Sequence, residues 1–572
     1  MPGLNIHFKF SQTLKPNTLQ EHSRTLFSSE EVDVSVESGS ENHPVDFWET
    51  REFFIAFEGY AYDWNNHRQE LEKLTQQLIV SENSGEILKS TFGKLDAEFV
   101  LFFFHKPSKK SGVVNDVLGR LPIYSCAIEG DHILTRNADF PGKLKKLTLD
   151  HQGAAESLTF GFTLGDRTVY QGVKRLAGGS YASVVGKELN FYRHKTTDYD
   201  LLLGSKPDPE RTANQATELF ISALESRTRF CDNPLLALSG GLDSRALAGG
   251  FDALGIQYKA ITYRDVAGSA ERDVEVARLI TNAHSQELTL VDLKNPEKRD
   301  FLELYDCKNG QSMLDMTFMV PFLRTLRAQS ENPAVFTGDG GDKVLPSLLP
   351  DSRVFKGKKL LSYALRANRK FPETTAERIF GLPSGTIRES IEQLFESYTE
   401  TSWEGKFRHF TMENRARNWL FEGEDRNRCF LPSFTPFYCL PLFELLMSVD
   451  DEEKKDFRFF HRFLKKVDPK SADIKNANWG FGVQQSEQIR KIYYRQNLKL
   501  TSAGSFVRDS LKTKSNYLEK ATEDERLLFE ELSKRVAVQN KIDLDLIVRL
   551  KNFDADSFHF LLTLMKVAEE TV

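Results

Sequence analysis

The chain has 572 residues, 40% hydrophobic and 28% charged, with 35 Gly and 20 Pro. At roughly 150 residues per domain this predicts two to four domains, and the balance excludes a disordered, collagen-like or low-complexity protein. Against 76 Lys and Arg stand 82 Asp and Glu, a net charge of −6, so no bulk attraction draws the chain to nucleic acid or an anionic membrane.

Apolar runs such as Phe99 to Phe104 fall far short of the ~20 residues of a membrane-spanning helix. The start, MPGLNIHFKF, has no basic segment followed by an apolar one. The expectation is a cytoplasmic protein with neither nucleic-acid nor membrane partners. Five cysteines (Cys126, Cys231, Cys307, Cys429, Cys439) are odd in number and lack a CxxC pair. They predict neither a disulfide framework nor a thiolate zinc site and read as small buried hydrophobes. None stands at position 2.

Up to about residue 195 the chain shows short apolar or alternating runs bounded by turns: Phe53 to Phe57, Ala97 to Phe104, Val113 to Val117, Ser180 to Val185 and Leu189 to Tyr192. These predict strands, with a helix over His67 to Glu82, hence an α+β or layered β domain. Leu201 to Arg211 (LLLGSKPDPER) lacks periodicity and predicts a linker. Beyond it, strands at Pro234 to Leu238, Gln257 to Tyr263, Glu287 to Val291 and Ala334 to Phe336 alternate with helical stretches. Those stretches are Ser244 to Leu254, the Val276, Leu279, Ile280, Ala283 stripe, and Met316 to Ser330. This alternation predicts a parallel, doubly wound sheet. From about Leu360 the pattern is helical, ending in Glu523 to Val548 and Phe558 to Val567.

Within this second part, Leu235 to Leu238 runs straight into Ser239-Gly240-Gly241-Leu242-Asp243-Ser244 and then a helical stretch. A strand, a Gly-rich turn and a helix start aim backbone N–H groups into one concavity, where a phosphate or pyrophosphate is favoured. Gly240 and Gly241 allow close approach, Ser239 and Ser244 add hydroxyls, and Asp243 is placed to hold Mg²⁺. The alternative is a tight turn with Asp243 as a helix cap. No GxxxxGK[ST], no GxGxxG after a strand and no GxSxG is present. Twelve histidines without HExxH suggest no metal site of their own.

With its surroundings, SGGLDS resembles the pyrophosphate loop of the asparagine synthetase family, which includes β-lactam synthetases and lasso-peptide cyclases. The N-terminal stretches Leu95 to Phe99, Asn115 to Tyr124 (NDVLGRLPIY), Thr168 to Ser180 and Phe191-Tyr192 resemble that family's glutaminase-domain patterns in order. Ala334 to Leu345 (AVFTGDGGDKVL), Glu271 to Ala277 with Asp273, and Thr435 to Met447 resemble its synthetase part.

The resemblance implies an Ntn-hydrolase-like αββα domain over 1–200 and an ATP-pyrophosphatase (PP-loop) domain over 211–572 with a helical C-terminal part. It implies ATP and Mg²⁺, with Asp243 and Asp342 as metal carboxylates. Adenine and ribose would lie against Leu238, Tyr263, Thr337 and Gly338. Asp339 stands where the family carries a glutamate, either orienting or deprotonating the nitrogen nucleophile or serving only as a turn aspartate.

Three departures follow. Position 2 is Pro, so the glutaminase nucleophile is missing and glutamine is not expected as nitrogen donor. Asn476 and Asn478 replace both basic residues of the family's "R-x-K-x-G-F" loop, leaving Lys475 as the candidate substitute cation. Phe434, Pro432 and Lys343 replace further family residues. Arg415, Arg417, Arg426 and Arg428, near Trp419, read as a solvated helix face or an acidic-substrate site.

The expected function is an AMP- and pyrophosphate-forming amide ligase. It would join a carboxylate-bearing small molecule or peptide to ammonia or a substrate amine, with homodimerisation left open. Lactam or macrolactam formation and a catalytically impaired nucleotide-binding scaffold are the alternatives.

Overall fold

The computed structural model describes residues 3–11, 23–37, 44–81, 83–204, 207–501, 517, 520–537, 542–549 and 553–571. Pro2 and the middle of the expected Glu523 to Val548 helix lie outside the described residues.

The strands of the N-terminal part are β1 (Gly3–Phe8), β2 (Ser23–Ser28), β3 (Val32–Glu37), β4 (Val45–Glu49), β5 (Phe53–Ala61) and β6 (Ala97–His105). They continue as β7 (Ser111–Asn115), β8 (Tyr124–Ile128), β9 (Asp131–Thr135), β10 (Val173–Arg175), β11 (Ser180–Val185) and β12 (Glu188–Arg193). They form two sheets, ordered β10-β8-β9-β1-β3-β2 and β12-β11-β7-β6-β5-β4.

The continuous apolar run of β6 is explained by burial on both faces, where no polar alternation is needed. Val100, Phe102 and Phe104 meet Leu4, Ile6 and Val34 of the other sheet. Phe99, Leu101 and Phe103 pack instead with Leu71, Leu74 and Phe92, from the helices His67–Val80 and Ser84–Phe92. Helix His151–Phe160 lies in one core with Tyr124, Cys126 and Ile133 of the first sheet. The layers therefore run helix, sheet, sheet, helix.

The second part carries β13 (Asn233–Ala237), β14 (Lys259–Arg264), β15 (Leu288–Asp292), β16 (Pro333–Phe336) and β17 (Ser433–Phe434). All pair in parallel, in the order β15-β14-β13-β16-β17. Helices Asp243–Leu254, Glu271–Ala283 and Met319–Arg327 lie between them in sequence. The architecture is mixed α/β, as expected from sequence. No described helix is long and apolar enough to cross a membrane.

Four expectations are corrected. The stretch read as a linker is largely helical: Tyr199–Gly204 is a helix, and Asp208 caps helix Pro209–Thr228 by accepting from the Arg211 N–H at 2.8 Å. Proline at a first helical position with aspartate before it is a start signal, read as a break. Leu279, placed on the buried face by its spacing, is 40% exposed, and Val274 and Ala277 face inward instead.

Cys307 and Cys429 form a disulfide across 122 residues of sequence, a pairing that spacing alone cannot disclose. Finally, the arginine cluster is no solvated face: Arg417, Arg426 and Arg428 are buried. Their surroundings are made by residues hundreds of positions away, so burial was invisible in the local pattern.

The agent of that burial is helix Phe421–Arg428, wedged between the two parts. Arg120 contacts Glu424, and Arg428 contacts Glu98 at 2.8 Å. Arg136 joins Glu58 at 2.7 Å and Asp425 at 2.5 Å. Arg175 reaches Glu422 at 2.5 Å, and Lys308 reaches Glu422 at 2.7 Å and Asp425 at 2.5 Å. Each charge lies out of water, which is tolerable only because each is paired.

Candidate active site

The strand order turns outward between β13 and β16, so the loops that follow these two strands leave the same end of the sheet side by side. Open parallel sheets place ligands at such a switch point. Here the loops are 238–243 and 337–341, and they touch. A Cβ on Gly338 would lie 2.6 Å from Asp243 Cβ, and one on Gly341 2.3 Å from Asp243 Oδ1. Only glycine allows this approach.

The first loop is held from within. The Ser239 N–H donates to Ser244 Oγ at 3.1 Å, and the Gly241 N–H donates to Ser239 Oγ at 3.2 Å. The Gly240 N–H donates to Asp273 Oδ1 at 2.8 Å, and its carbonyl accepts from the Ala477 N–H at 3.2 Å. The second loop is fixed by β17: the Thr337 N–H donates to the Phe434 carbonyl at 2.9 Å, and Thr435 Oγ1 donates to the Asp339 carbonyl at 2.7 Å. Thr337 Oγ1 also donates to Asp339 Oδ2 at 3.0 Å. Gly340 takes a φ of 97° against the Tyr438 ring.

The structure thus brings together Leu238, Ser239, Gly240, Gly241, Asp243, Ser244, Thr337, Gly338 and Asp339, with Asp342 at the rim. Asp243 Oδ1 is buried and has no hydrogen-bond partner among the described residues. Burial, then the charge of Asp342, holds the Asp243 carboxyl well above the usual range, with Lys343 opposing. The Asp339 carboxyl is also raised by burial, against the Thr337 hydrogen bond and the charge of Arg426.

Asp342 is exposed and contacts the Lys343 ammonium. An orphaned buried carboxylate oxygen beside a second carboxylate suits a hard divalent cation that keeps its remaining places for phosphate and water. Among the described residues no three His, Cys, Asp or Glu side chains converge as a metal set.

Tyr263, one residue before the end of β14, lines a cavity of about 360 Å³ shared with Phe318 and Asp315. Asp315 Oδ1 there has no partner among the described residues, and its carboxyl is pushed up to about 7 by burial and by Asp556.

Lys475 is directed elsewhere: its ammonium pairs with Glu275 at 2.5 Å on the exposed side of helix Glu271–Ala283. Asn476 is buried and its carbonyl closes a turn by accepting from the Gly480 N–H at 2.8 Å, while Asn478 is exposed.

Besides Lys343, the cations near the carboxylates come from the cluster read as a surface. Arg415 stacks on Trp419 at 4.6 Å and is influenced by Asp342, while Arg426 faces Asp339. Their signal in sequence was only proximity to Trp419. Arg415 lies in the wide-turn helix Thr411–Leu420, a form frequent at functional sites.

At the N-terminal strand, the Leu4 N–H donates to Glu58 Oε2 at 2.9 Å, beside the buried Arg136. Gly59 has a φ of 110°, and a Cβ there would lie 2.1 Å from the Glu98 carbonyl oxygen. Strand packing alone requires it.

No protein-family profile and no curated protein matches the chain. Among solved structures, a glutamine phosphoribosylpyrophosphate amidotransferase from B. subtilis complexed with ADP and GMP matches at 11% identity and a TM-score of 0.20. That match covers 47% of this chain and 68% of the other. A structure described as the allosteric regulatory enzyme of purine biosynthesis matches at 10% identity and a TM-score of 0.22, over 51% and 74%.

Proposed function

We propose that the chain is an ATP-dependent, AMP-forming amide ligase of the asparagine synthetase kind that does not use glutamine. The observation that carries this reading is the pair of abutting loops at the switch point of the parallel sheet. They present the orphaned Asp243 oxygen beside Asp342, with the Ser239 and Ser244 hydroxyls within the same turn.

In this reading a substrate carboxylate oxygen attacks the α-phosphorus of ATP and pyrophosphate leaves. An amine then attacks the acyl carbon, AMP leaves, and the amine proton passes to a base. Mg²⁺, when bound by Asp243 and Asp342, supplies charge neutralisation on the phosphates. The loop hydroxyls orient the pyrophosphate group, and Tyr263 with its cavity receives the nucleoside.

Arg415, with no carboxylate in ion-pair range among the described residues, replaces the family's loop lysine toward developing negative charge. Asp339, a carboxylate made more basic by burial, accepts the amine proton. The N-terminal part is read as an Ntn-like body in which the Glu58, Arg136 and Asp425 cluster replaces glutamine chemistry with interdomain contacts.

The test is product analysis with ATP, Mg²⁺, ammonia and a panel of mono- and dicarboxylates and peptides. AMP with equimolar pyrophosphate supports the ligase. ADP with phosphate, or no turnover on any acid, contradicts it and leaves the scaffold alternative.

A further inference from the structure

Beyond the loop pair lies a cavity of about 560 Å³, lined by residues 346–353, by Glu452 and by residues 454–458. It adjoins the candidate active site through aromatic contacts. Trp479, in the turn whose Ala477 packs on Gly240, meets Phe457 at 4.9 Å, and Phe457 meets Tyr493 at 5.8 Å. Tyr493 in turn senses the charge of Asp342.

Five cations line this cavity against three carboxylates. Arg353 pairs with Asp351 at 2.5 Å, Arg490 pairs with Asp456 at 2.6 Å, and Lys455 contacts Glu452. Two cations then remain without a carboxylate partner among the described residues. Arg458 donates only to the backbone carbonyls of Glu452 and Lys455. Lys454 is 2% exposed, and the nearby Asp451 carboxylate is already engaged by Arg408 and by Ser347 at 2.7 Å.

A buried ammonium without a counter-ion is costly. Burial and the neighbouring Arg408 accordingly hold Lys454 well below the usual lysine range. An arriving anion would relieve that penalty.

The backbone adds a second observation. Asp456 and Phe457 take φ values of 54° and 62°, a left-handed conformation that strains a bulky non-glycine residue. This strain sits at the cavity wall and orients Phe457 toward Trp479. The volume also falls within the range of small-molecule sites.

We propose that this cavity binds the acid to be activated, an organic anion with at least two negative groups, one held by Lys454 and Arg458 while the other faces the Asp243 loop. That the ligand is the substrate rests on the ligase reading; that the cavity takes a polyanionic carboxylate does not.

The test is isothermal titration of succinate, glutarate and citrate into the full chain without ATP. At least one is expected to bind, with its neutral amide at least tenfold weaker. Lys454→Met and Arg458→Gln should each weaken binding at least tenfold. Arg458 is exposed, so its variant remains informative even if Lys454→Met fails to fold.

No binding by any of the three acids, equal binding of the amide, or full affinity in the Arg458 variant would overturn the proposal. Binding with this dependence, but no pyrophosphate release on any acid, supports the site while removing the ligase reading. Pyrophosphate release unaffected by Lys454→Met and Arg458→Gln does the reverse.

Discussion

Gly338→Ala tests whether the contact between the two loops creates the site. The new Cβ would lie 2.6 Å from Asp243 Cβ, 2.7 Å from the Ser244 nitrogen and 2.9 Å from the Asp243 carbonyl carbon. Favourable contact between carbons begins near 3.5 Å, so the loops must part by roughly 1 Å. Two of the three obstacles are backbone atoms in the first turn of helix Asp243–Leu254, and no rotamer change relieves them.

Overpacking of this kind costs about 1–3 kcal/mol of stability. A displacement of roughly 1 Å at reacting groups costs on the order of 10²-fold in rate. A melting curve, a fluorescent ATP analogue and pyrophosphate release together read these effects. The expected outcome is a folded protein with a modestly lower Tm and a rate reduced about 10²-fold. Gly85→Ala, where a Cβ meets only Asn83 Oδ1 at 4.0 Å, should leave the rate unchanged. Full activity in Gly338→Ala would show that this contact does not position Asp243.

Other consequences can be measured separately. Arg136→Met leaves Glu58 and Asp425 with one buried partner fewer, so denaturant unfolding should report a loss of about 3–5 kcal/mol. The raised Asp315 carboxyl, near 7 when folded, gives stability that is full below the ordinary carboxylate range and lost as pH rises through about 7. Asp315→Asn should therefore melt above the parent protein at pH 8, with the difference shrinking toward pH 5. Alkylation of the unfolded, unreduced chain should label three of five cysteines, since Cys126, Cys231 and Cys439 are free. Reduction should then lower stability by several kcal/mol, given the loop of 122 residues. Arg415→Met should slow pyrophosphate release by about 10²-fold or more while leaving Tm nearly unchanged, and an equal rate would remove Arg415 from the chemistry.

What the sequence disclosed was local. The run from Leu235 to Ser244 carried strand, turn and helix start in ten consecutive residues, and β6 announced itself as an apolar run. Both signals depend only on neighbours along the chain. What stayed hidden depends on distant partners: β17 is a two-residue strand held by pairing with β16. Lys475 was chosen for nearness in sequence, yet Glu275 captures it. Arg426 looked like a surface residue because Asp339 and the helix neighbours that bury it lie elsewhere in the chain. The bond between Cys307 and Cys429 is the extreme case, a contact without any local signature.

The most direct measurement is isotope exchange between pyrophosphate and ATP, which reports reversible acyl-adenylate formation without needing the amine. The account predicts exchange that requires Mg²⁺ and a carboxylate substrate and that falls to background in Asp243→Asn. Exchange that persists in Asp243→Asn, or ATP turnover to ADP with no exchange on any acid, would contradict it.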